Sequence, residues 1–96
     1  MSKNISREGT MFEIDKEYMP YLYLAIIAAK DNGFSVEKSY VEFNLRFLNG
    51  RKCYEICFFY KRVTEENWMD GYEYGSDINV IMDIKSKKIL HIYHSK

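Results

Sequence analysis

The sequence predicts an α+β domain in which one N-terminal helix packs on a curved four-stranded antiparallel sheet. Three observations predict it. An apolar block from Tyr21 to Lys30 follows the single Pro20 and ends just before Gly33. An Asn49-Gly50 dipeptide separates two segments of alternating apolar and polar residues. A second pair of such segments, around 78–84 and 89–94, flanks the turn Lys85-Ser86-Lys87-Lys88. Helix first and strands afterwards, with short links within each hairpin, is the order of an α+β meander.

The helix is expected over Tyr18–Asn32. Proline fits only in its first turn, where the missing N–H has no intrahelical partner to lose. Gly33 sits where a left-handed C-terminal cap belongs. The block is apolar nearly all round, so it should be covered on more than one side. Before it, Thr10-Met11-Phe12-Glu13-Ile14 suits a short strand or an apolar staple into the helix, and residues 1–10 are polar enough to fray.

Asn-Gly favours a two-residue type I′ turn, whose geometry fixes the register of the strands it joins. Counting outward pairs Leu45 with Tyr54, Phe43 with Ile56 and Val41 with Phe58, all apolar and all on the inward face. The opposite face takes Asn44 with Glu55, Arg46 with Cys53 and Glu42 with Cys57. Turn chemistry and alternation therefore agree on one register.

With 96 residues there is material for one core, and residues 1–96 read as a single domain. Lys plus Arg and Asp plus Glu both count 14. That balance speaks against a nucleic-acid partner bound through counterion release, which needs a basic excess. The charge is uneven: Val63 to Ile84 carries six acids and no Lys or Arg, and Lys85 to Lys96 carries four lysines and no acid. The polar start shows no secretory signal, and the apolar run Tyr21–Ala29 is about half of a membrane span. A cytoplasmic protein with no membrane partner is the expectation.

No catalytic or cofactor apparatus is legible. The five glycines are dispersed and form no phosphate loop. Cys53 and Cys57, four apart on one strand, stand about 13 Å apart on one face. A disulfide needs Cα atoms within about 7 Å, so buried structural thiols are the reading. His91 and His94, three apart on a strand, point to opposite faces and cannot share a metal ion. The expectation is a non-enzyme with no cofactor and no metal.

The feature that strand alternation leaves unexplained is the segment from Glu65 to Gly75. It gathers Trp68, Tyr72 and Tyr74 with Glu65, Glu66, Asp70 and Glu73, and Asp77 follows close behind. Aromatic residues set among charges are the composition of protein-binding hot spots. These eight residues are the candidate partner-binding site, and a basic protein is the partner their charge would suit. The competing reading folds Trp68 and Tyr74 back as a cap on the sheet and leaves the acids as solvated charge.

From Tyr54-Glu55-Ile56 through Gly71 and Gly75 to Ile81-Met82-Asp83-Ile84-Lys85-Ser86-Lys87-Lys88-Ile89-Leu90-His91-Ile92, the chain resembles the small bacterial immunity proteins of the nuclear-transport-factor-2-like type. The resemblance extends over residues 20–96; PepSY-type domains share its closing hairpin. It implies a protein that neutralises a polymorphic toxin by binding the toxin domain, and it carries over no catalytic residues. The chain departs from the pattern at Lys87, where glycine is usual, and in having a single long helix. A shortened, cystatin-like form accommodates both. Two other functions compete with this one: a small-ligand or enzymatic pocket between the helix and the concave sheet, and a structural role that includes homodimerisation through the Phe59/Cys57 face.

Overall fold

A computed structural model describes residues 9–61 and 76–95. Its elements are a 3₁₀ turn at Lys16–Tyr18, the helix α1 (Met19–Asp31), a 3₁₀ turn at Val36–Lys38, and four strands: β1 (Tyr40–Leu48), β2 (Arg51–Phe59), β3 (Asp77–Asp83) and β4 (Ile89–Tyr93). The strands form one antiparallel sheet in the order β1-β2-β3-β4, so the α+β meander read from the sequence is the architecture.

The helix ends are set by local chemistry. Asp15 opens the 3₁₀ turn by accepting a hydrogen bond from the Glu17 N–H at 3.0 Å, and Pro20 lies in the first turn of α1. At the far end Gly33 takes φ +80°; its N–H bonds Lys30 O at 2.9 Å, and the Phe34 N–H reaches back to Ala29 O at 3.0 Å. This is a Schellman closure, in which a residue without Cβ turns the chain out of the helix. Phe34 then enters the core and stacks on Tyr60, with ring centroids 4.2 Å apart. Residues 9–15 form neither strand nor helix.

The β1–β2 register matches the sequence expectation pair for pair: Val41 faces Phe58, Phe43 faces Ile56, Leu45 faces Tyr54. Asn49 and Gly50 have φ of 52° and 78°, the double left-handed turn that a type I′ hairpin requires. The core lies between one face of α1 (Tyr21, Leu22, Ala25, Ala28, Ala29) and the β2–β3 centre (Ile56, Phe58, Ile78, Val80, Met82). The alanines let the helix come close to the sheet. The Tyr21 hydroxyl donates to Ile84 O at 2.5 Å, tying α1 to the end of β3.

Two expectations about coverage are corrected. The helix, apolar nearly all round, is covered by the sheet on one side, and its outward residues Met19, Tyr23, Leu24 and Ile27 stay exposed, Tyr23 by 64%. The inward row of β1 is likewise uncovered at both ends, with Val41 46% and Leu45 53% exposed and only Phe43 packed against the core. The cause is the position of α1, which packs chiefly over β3 and β2.

Candidate functional site

The face of the sheet turned away from α1 carries a polar network built by strand alternation. Glu55, at the middle of β2, is 2% exposed. Arg46 on β1 donates from Nε to Glu55 Oε1 at 2.8 Å, and the Tyr93 hydroxyl on β4 donates to Oε2. One carboxylate thus links three strands. These residues, with Leu48, Ile81 and His91, line an open depression of about 400 Å³, in which His91 stacks against Tyr93.

The titrations here follow from that packing. Burial, then the hydrogen bond to Glu55, pushes the Tyr93 hydroxyl up to about 12. Burial, then the Glu55 charge, pushes the Cys57 thiol up to about 12, against the opposing effect of the Asn44 amide 3.6 Å from its sulfur. The hydrogen bond to Glu55 raises Arg46 further above its already high value. The Tyr93 hydroxyl and the Cys57 thiol therefore keep their protons well above neutral pH, beside a Glu55 carboxylate held by Arg46 and Tyr93. Cys53 and Cys57 are both free thiols.

Of the eight residues singled out in the sequence, Glu65, Glu66, Trp68, Asp70, Tyr72, Glu73 and Tyr74 lie outside the described residues. Asp77 is described, and it opens β3 as a buried carboxylate, 5% exposed. The Ser95 N–H donates to it at 3.0 Å, and the Asn79 amide at 3.3 Å. That amide also reaches Tyr93 O and Ser95 Oγ, so Asp77 helps to fasten the chain after β4 to the sheet. His94, also beyond β4, sits with Nδ1 2.5 Å from Asp77 O. Among the described residues no group of three His, Cys, Asp or Glu side chains is placed to hold a metal ion.

Between helix and sheet, where a small-ligand pocket would have to open, the space is filled by Tyr21, Leu22, Ile56, Phe58 and Val80. Sequence reasoning missed two apolar surfaces that are open among the described residues. Most of the exposed large apolar side chains fall either on the outward face of α1 and the segment before it (Met11, Phe12, Ile14) or on β1. The signal is a helix with no polar stripe, which fits an exposed apolar face as well as a covered one.

The class these features define is an α+β domain with one helix on a four-stranded antiparallel meander, apolar on its helix exterior and internally satisfied on its polar sheet face. Comparison with family models, with curated proteins and with solved structures finds no match to this chain. No helix among the described residues is long and apolar enough to cross a membrane.

Proposed function

We propose that this chain is a protein-binding module, an immunity protein or inhibitor of bacterial cytoplasmic type that binds and neutralises a toxin or enzyme domain. The observation that carries the reading is the outward face of α1. Met19, Tyr23 and Ile27 recur every four residues and so form one stripe along the helix, with Leu24 beside it, all exposed. A contiguous apolar patch of this kind on a small domain marks a protein contact surface. Its tyrosine and methionine suit the desolvated centre of an interface, and the charge of Glu65, Glu66, Asp70 and Glu73 would steer a basic partner.

The chemistry of the opposite face supports a binding role over a catalytic one. The Cys57 thiol is held protonated, and Glu55 has both oxygens engaged by Arg46 and Tyr93.

The test begins with affinity capture from the native host, identification of the retained protein by mass spectrometry, and its purification. A toxin gene adjacent to this one nominates the first protein to try. The purified chain should inhibit the partner's activity stoichiometrically, and Tyr23→Lys should weaken that inhibition while leaving the chain folded. Activity unaffected by excess chain would refute neutralisation, and inhibition unchanged by Tyr23→Lys would remove α1 from the interface.

A further inference from the structure

We propose that β1 is a homodimer interface, in which the strand pairs antiparallel with β1 of a second copy, centred on Asn44, to make one continuous eight-stranded sheet. Among the described residues the sheet is open at both edges, and the two edges differ. β4 spans five residues and its pairing with β3 shifts register at Ile81/Met82, features that discourage addition of a further strand. β1 spans nine residues in unbroken register, holds no proline, and exposes Val41, Leu45 and Phe47, the last by 69%. A long, regular, apolar edge is a template for another strand.

What selects a second copy is the order of residues in the strand, Tyr40-Val41-Glu42-Phe43-Asn44-Leu45-Arg46-Phe47-Leu48. Reversed about Asn44, it is complementary to itself. Glu42 falls opposite Arg46 of the other copy, Phe43 opposite Leu45, Val41 opposite Phe47, and Tyr40 opposite Leu48. Each pair occurs twice, as an isologous two-fold contact demands. Moving the centre to Phe43 or Leu45 keeps the alternation but sets Glu42 opposite Asn44 or Leu48, and the charge match disappears.

The backbone agrees with the side chains. In a two-residue hairpin the pair flanking the turn, Leu48 and Arg51, is hydrogen-bonded, so the even-numbered residues of β1 turn their N–H and C=O groups toward β2. The odd-numbered residues, Val41 to Phe47, turn theirs to the open edge. Centring on Asn44 sets odd against odd, so these groups meet their counterparts. Glu42 and Arg46 then fall in non-hydrogen-bonded pairs, where opposed side chains stand closest. Arg46 commits Nε to Glu55, and a guanidinium has further donors for a second carboxylate. Opposed residues share a face, so the two α1 helices lie on the same side of the joint sheet, with the apolar row of β1 between them.

This arrangement differs from dimerisation through the Phe59/Cys57 face and does not depend on the partner-binding reading. Sedimentation equilibrium of the full chain across a concentration series should show a monomer–dimer equilibrium. Leu45→Lys, at a half-exposed site, should abolish the dimer while circular dichroism stays that of the wild type. Glu42→Arg sets like charges opposite each other twice, and should raise the dimer dissociation constant about tenfold at low salt and less at high salt. If Leu45→Lys does not fold, Glu42→Arg decides the matter. A wild type that stays monomeric throughout overturns the proposal. So does a dimer indifferent to Leu45→Lys and Glu42→Arg, or one broken by Phe59→Lys alone.

Discussion

Arg46 and Glu55 stand diagonally across β1 and β2, with Nε 2.8 Å from Oε1, and the exposed guanidinium shields a carboxylate that strand alternation has buried. Tyr93 completes the arrangement from β4. Tyr93→Phe removes one charge-assisted hydrogen bond and leaves Glu55 a partner short. It should cost about 2 kcal/mol, read as a lower midpoint in urea with an unchanged slope.

Alkaline pH should loosen the same face. Tyr93 is raised from 10.0 to about 12 and Cys57 from 9.0 to about 12, so each keeps its proton in the folded chain longer than in the unfolded one. As pH rises the unfolded state ionises first, and the folded state loses stability relative to it. Stability from these groups is complete below about pH 9 and falls between about 9 and 12. Thermal unfolding followed across that range should show the decline, and Cys57→Ser should make its onset later and shallower.

The two tight turns make opposite demands on their residues. Gly50 at φ +78° has open space where a Cβ would sit, so Gly50→Ala meets only backbone strain and should cost about 1 kcal/mol. Lys87 holds φ +60° without being glycine, and its Nζ lies 5.7 Å from the Tyr21 ring centroid. Lys87→Ala keeps the strain and loses the cation–π contact. Lys87→Gly loses the contact but relieves the strain, and should be more stable than Lys87→Ala by about 1 kcal/mol in chemical denaturation.

The proposed role of the acidic aromatic segment in binding is open to a kinetic test. Neutralising Glu65, Glu66, Asp70 and Glu73 should slow association with a basic partner and flatten its salt dependence. Trp68→Ala should speed dissociation, by about 2 kcal/mol if it is a hot spot. Stopped-flow association at two salt concentrations separates the two effects. Unchanged rates in both variants would remove the segment from the interface.

What was legible in the sequence follows the range of the interactions concerned. The β1–β2 register was readable because Asn49-Gly50 and the alternation of Val41, Phe43 and Leu45 are local signals pointing the same way. The ends of α1 were readable for the same reason, from Pro20 and Gly33. Burial was not, because it depends on where α1 lies across the sheet. Leu45 and Tyr23 look like core residues by type and are exposed by position, while Glu55 and Asp77 look like surface residues and are buried. The left-handed turn at Lys87 was visible only as a lysine standing where the resembled pattern carries glycine.

Binding through the outward face of α1 is tested most directly by the dissociation rate of the purified partner from wild type and from Tyr23→Lys, measured at one salt concentration by biolayer interferometry. With Tyr23 at the centre of the contact, a lysine there should raise the dissociation rate tenfold or more, on the order of 1.4 kcal/mol, while thermal unfolding of the free chain stays unchanged. A dissociation rate equal to that of the wild type, with the variant folded, would contradict it.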